Sequence, residues 1–99
     1  MTSTQHLRPH EFDLAGEWVA VGDGVEGDAI EYRIRWLTEN CLVRLGADES
    51  AWDVLYRDPD DGRLWELTHP QSELHGAGPS RLTVIAAAAA LHKYRIDAV

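Results

Sequence analysis

The chain has 99 residues, 44% of them hydrophobic, which suits one domain with one core and is too apolar for a disordered polymer. Seventeen acidic side chains against nine basic ones give a formal net charge of −8 at pH 7. Such a field repels nucleic acid and anionic membranes and attracts basic surfaces, although charge of this size also serves plain solubility.

The first residues are polar, and 1–13 are expected to form a flexible lead-in to a single domain over 14–99. Met1–Pro9 lacks an apolar stretch of signal-peptide length, and the apolar run Val84–Leu91 is too short to cross a bilayer. A cytoplasmic protein is the expectation. Glu17–Val21 alternates and predicts a first strand with Trp18 turned to the core. Gly22–Gly27 holds three glycines in six residues and predicts a loop.

A helix is predicted from Ala29 to Glu39. Asp28 with Glu31 three residues on forms a capping-box pattern, and Ile30, Ile34 and Leu37 fall on one face with Trp36 at its edge. Leu42–Leu45 is a short strand candidate. Cys41, the lone cysteine, excludes an internal disulfide framework and reads as a buried inert thiol beside that apolar run.

Ala51–Asp58 and Arg63–His69 both alternate, and Asp58-Pro59-Asp60-Asp61-Gly62 between them carries the residues of a tight turn. Proline fixes φ, aspartate bonds its neighbouring backbone, and glycine takes the left-handed corner. His69–Pro79 reads as a loop. Ser80 then predicts the cap of a second helix over Arg81–Tyr94, whose alanine run Ala86–Ala90 favours helix and allows close approach to a sheet. The order strand, helix, strands, helix predicts an α+β fold: a small twisted antiparallel β-meander with two helices on one face. Trp18, Trp36, Trp52 and Trp65 are expected to dominate its core.

The sequence supports no reaction class. His10, Glu11 and Asp13 sit in the lead-in, where catalytic geometry is hard to hold, and the serines lie in no nucleophile-elbow context. His69, Glu73 and His75 give the densest cluster of metal-type ligands, but their spacing fits no zinc pattern. A metal-dependent hydrolase built on that loop is the alternative reading, and an adaptor subunit of another assembly is a second. Glycine-rich His75–Ser80 lacks the Lys-Ser/Thr of a phosphate loop. No cofactor or metal is expected.

The acidic charge is uneven. Residues 48–61 carry Asp48, Glu49, Asp53, Asp58, Asp60 and Asp61 against Arg57 alone. For each acid a solvated surface role is the plain alternative to partner contact.

Several patterns coincide over Ala51–Leu82: Trp52 before Leu55-Tyr56, the Asp58-Pro59-x-Asp61-Gly62 turn, Trp65-Glu66, Pro70-x-Ser72 and His75-Gly76-x-Gly78-Pro79. Lys93-Tyr94 closes the last helix, while Leu14, Gly16 and Trp18 precede the first, which holds Arg33-Ile34. With these features the chain resembles, over residues 14–94, the immunity proteins of bacterial polymorphic toxin systems, in the group numbered twenty-seven. Ala77 and Ser80 stand where that pattern has glycine and proline, and the alanine-rich last helix stands where it is charged. The resemblance implies a cytosolic, non-enzymatic antitoxin that binds and neutralises a cognate secreted toxin. Many such toxins attack nucleic acid through a basic face, which an acidic partner can mask. Asp53, Asp58, Asp60, Asp61, Glu66, Glu73 and His75 are the candidate partner-binding residues.

Overall fold

The computed structural model describes residues 6–70 and 79–96. Among them the elements run β1 (Asp13–Ala15), β2 (Trp18–Val21), β3 (Gly24–Gly27), α1 (Ala29–Asn40), β4 (Val43–Ala47), β5 (Val54–Arg57), β6 (Leu64–Thr68), β7 (Arg81–Val84) and α2 (Ala87–Tyr94). The fold is α+β. A five-stranded antiparallel sheet has the order β1-β7-β6-β5-β4, and β2 and β3 form a separate two-stranded sheet.

The pairing register sorts the side chains of the large sheet into two apolar faces. Tyr56 opposes Trp65, and Leu67 opposes both Val54 and Leu82, which in turn opposes Leu14. That face closes on Ile34 and Leu37 of α1. The opposite face carries Leu55 and Leu64, which close on Ala90 and Tyr94 of α2. The helices therefore lie on opposite faces, and the expected two-layer packing is corrected to three layers. The reason is local: Leu55-Tyr56 and Leu64-Trp65 are each buried as adjacent pairs, so β5 and β6 need cover on both sides. A β-bulge between Arg44 and Gly46 leaves Leu45 without a partner in the ladder and packs it against the α2 cluster.

Helix α1 begins where its cap predicts. Asp28 accepts from Glu31 N–H at 2.8 Å. The reciprocal half of the capping box does not form, because the Glu31 side chain reaches Ser80. Ile30, expected on the buried stripe, is exposed. The turn between β5 and β6 is as expected: Gly62 adopts φ +79°, its N–H donates to Asp58 O at 2.8 Å, and the Asp58 carboxylate accepts from Asp60 N–H at 2.9 Å.

Three further expectations are corrected. Gly22–Gly27 is no simple loop, since Gly22-Asp23 makes a two-residue turn with Gly22 at φ +60° and Gly24–Gly27 pairs with β2. The second helix starts at Ala87, because Arg81–Val84 forms strand β7 between β6 and β1. Leu82 is fully buried there, and two ladders of backbone hydrogen bonds override the helical tendency of the alanine run. Ala86 takes the N-cap position without a side-chain bond. Of the four tryptophans only Trp65 is fully buried; Trp36 packs partly against the core, and Trp18 and Trp52 are 37% and 54% exposed.

Residues 6–12 lie against the body of the fold. Arg63 donates to the carbonyls of Arg8 and Glu11, and Arg33 donates to His6 O at 2.8 Å. Arg33 also holds both Glu11 carboxylate oxygens at 2.7 Å. This bidentate bond, opposed by burial, holds the Glu11 carboxyl at about 2 against an ordinary 4.5. A depressed carboxyl pKa stabilises the fold above the unfolded value and loses that contribution as pH falls from about 4.5 toward 2. Glu11→Gln is expected to cost about 2 kcal/mol at neutral pH, after allowance for partial screening, and to match the wild type once both are neutral in acid. Urea titrations at the two pH values measure the difference.

Candidate functional site: two acidic hairpins

The acids nominated from sequence split between structural and surface roles. Asp53 and Glu66 both receive the Lys93 ammonium, at 2.9 and 2.8 Å, and Glu66 also accepts from the Tyr94 hydroxyl at 2.9 Å. Burial works against the charged Lys93, but the bonds to Glu66 and Asp53 outweigh it and raise its pKa. Burial, reinforced by the neighbouring Glu66 carboxylate, pushes the Tyr94 hydroxyl up as well. This cluster ties α2 to strand β6 and to the residue before β5, and leaves those two carboxylates engaged within the fold.

Asp58 is buried at the turn, where it organises backbone N–H groups. Asp61 is paired with Arg63 at 2.7 Å. Burial acts against its charge, but the bonds from the Arg63 backbone and guanidinium leave its pKa lowered. Asp60 projects into solvent, with a side chain 78% exposed and His6 at 3.9 Å. Glu73 and His75 lie outside the described residues. The β5–β6 turn thus presents Asp60 outright and Asp61 in part, a weaker surface charge than the acid count of its sequence implies.

A second acidic hairpin, β2–β3, was not nominated from sequence. Glu17, Asp23 and Glu26 are exposed on it, and their side chains make no ion pair or hydrogen bond among the described residues. Val19 and Val21 are 41% and 50% exposed. Gly27 fixes how the hairpin sits on α1: a Cβ at that position would come within 2.5 Å of Glu31 Cγ. The available signal was the Gly22-Asp23 dipeptide between two valine-bearing stretches, a hairpin cue hidden by the neighbouring glycines.

Beside the hairpin lies a cleft of about 280 Å³ lined in part by Trp18, Glu31, Arg35, His69 and Ser80. Glu31 is buried and accepts from Ser80 N–H and Oγ, each at 2.8 Å. His69 Nε2 stands 3.5 Å from Ser80 Oγ, and the Trp52 ring meets the imidazole edge-on at 6.2 Å between centroids. The Ser80 hydroxyl donates to the Glu31 carboxylate, which joins the start of α1 to the residue before β7. Among the described residues no group of three His, Cys, Asp or Glu side chains converges to hold a metal ion. The Cys41 thiol is pushed up by burial and then by Asp60 and Asp58, against thiolate chemistry. No helix among the described residues is long and apolar enough to cross a membrane.

Residues 20–86 match the family described as Immunity protein 27. The chain belongs to the Immunity protein 27 family. No curated protein and no solved structure matches it. The family match begins inside β2, after Val19, and spans β3, the whole of α1 and β4 to β7. It agrees with the resemblance carried by the Trp52–Pro79 patterns.

Proposed function

We propose that this chain neutralises a cognate toxin by binding it in the cytoplasm, covering a basic toxin surface such as the active site of a nuclease. Family membership, together with surface carboxylates unpaired among the described residues on a chain of net charge −8, carries the reading. Inhibition is by occupancy: a negative surface accelerates encounter with a positive one and opposes competing nucleic acid. Within the region nominated from sequence, Asp60 and Asp61 supply steering charge. Asp53, Asp58 and Glu66 act indirectly, by holding the hairpin and α2 in place.

The test is co-expression with the toxin encoded at the same locus, followed by binding kinetics of the two purified proteins. Protection of the host and a dissociation constant in the nanomolar range are expected, with association slowing as salt rises. Asp60→Lys with Asp61→Lys is expected to slow association about tenfold at low salt and to leave dissociation nearly unchanged. Wild-type protein that neither protects nor binds overturns the reading. Asp58 is left intact because its reversal buries an unpaired charge.

A further inference from the structure

We propose that the outer face of the β2–β3 hairpin is the anchoring surface for the toxin, taking a basic protein surface with an apolar centre. The inference rests on the neutralisation reading and assigns it a place on the molecule.

Register defines the face. Val19 opposes Glu26, and Val21 lies two residues beyond Val19 on the same side. Trp18 opposes Gly27 on the other side, where Gly27 meets Glu31 of α1. The outer face is therefore a pair of half-exposed valines beside the Glu26 carboxylate, with Glu17 and Asp23 exposed at the two ends of β2.

Three observations point to a covering partner. Among the described residues the two strands pair only with each other and stand outside the five-stranded sheet, so Val19 and Val21 serve no described core cluster. An isolated two-stranded hairpin is marginal in water, yet this one is fixed on α1 by the Asp28 N–H to Glu17 O bond at 2.9 Å and by the close approach of Gly27. A preorganised apolar strip loses little entropy on binding. Finally, no Lys or Arg lies between Arg8 and Arg33, so the three carboxylates present one sign of charge. A second copy of this chain would bring like charges together, and nucleic acid would be repelled. A basic protein surface matches both the charge and the apolar strip.

Steering and anchoring separate kinetically, since rim charges act on association and desolvated apolar contacts act on dissociation. The test uses the full chain, the toxin domain encoded at the same locus and two double variants, with thermal melts as folding controls. Val19→Ser with Val21→Ser is expected to raise the dissociation rate and Kd about tenfold at an unchanged melting temperature. Glu17→Lys with Glu26→Lys is expected to weaken binding at least as much, with slower association at low salt.

Tight wild-type binding with both variants within about twofold of it overturns the assignment while leaving neutralisation intact. A wild-type chain that fails to bind the toxin removes the neutralisation reading and this assignment with it. A homodimer that the valine substitutions dissolve also overturns the assignment.

Discussion

Trp65→Ala is expected to lower the unfolding free energy by about 3–5 kcal/mol, read from the urea midpoint at constant slope. Trp65 is fully buried at the centre of the large sheet, opposite Tyr56 on one side and Val84 on the other. It belongs to the cluster that joins Ile34 and Leu37 of α1 to Leu82 of β7. The Arg63 guanidinium lies 5.0 Å from the centre of its ring. Truncation opens a cavity that three elements share, so none can relax into it alone. A domain of this size holds only about 5–15 kcal/mol in total, so the variant is expected to be partly unfolded at physiological temperature.

Trp65→Phe separates volume from polarity. The indole Nε1 is buried without a hydrogen-bond partner, and a lone buried donor costs about 1–3 kcal/mol. Phenylalanine removes that donor along with part of the ring. Its expected loss is about 1 kcal/mol, well below the alanine value, because the smaller cavity is offset by the deleted orphan. Equal losses for the two variants contradict this account of the site.

The parts of the fold legible in the sequence are those fixed by local chemistry. The Asp58–Gly62 turn follows from residues that each satisfy one backbone demand, and α1 follows from the Asp28 cap and the spacing of Ile34 and Leu37. Strand β7 was hidden because Leu82, Ile85 and Ala89 also match a helical spacing, while its actual support comes from partners far away in sequence. Strand β1 is three residues long, too short to show a period. The two adjacent buried pairs in β5 and β6 are apolar doublets, but reading these strands as alternating hid the cover they need on both faces.

The candidate site was legible in sign but not in address. Counting charges along the chain cannot reveal that Lys93 consumes Asp53 and Glu66 from 40 and 27 residues away. It equally misses that Asp58 turns inward while Glu17, Asp23 and Glu26 have no partner among the described residues. Surface charge available to a partner is what remains after internal pairing, and that subtraction needs coordinates.

Glu31→Ala is the second change expected to be severe, at about 3 kcal/mol by urea unfolding, although the residue lies in no apolar cluster. Its carboxylate joins the start of α1 to Ser80, 49 residues away, through two bonds of 2.8 Å. The Ser80 carbonyl in turn accepts from Gly16 N–H at 2.8 Å, so one side chain ties the helix to the entry of β7 and the end of β1. Bonds to a charged group contribute about 1.5–3 kcal/mol each, and alanine leaves the partly buried Ser80 donors unmet. Glu31→Gln keeps an acceptor for Ser80 N–H, and its amide can donate to the serine oxygen, so about 1 kcal/mol is expected there. Gly27→Ala attacks the same joint from the hairpin side, because its new methyl would lie 2.8 Å from Glu31 Cβ and force the hairpin away from the helix. Loss of toxin affinity in Gly27→Ala beyond its loss of stability would then report the position of the hairpin, since that substitution changes neither the valines nor the carboxylates of the outer face.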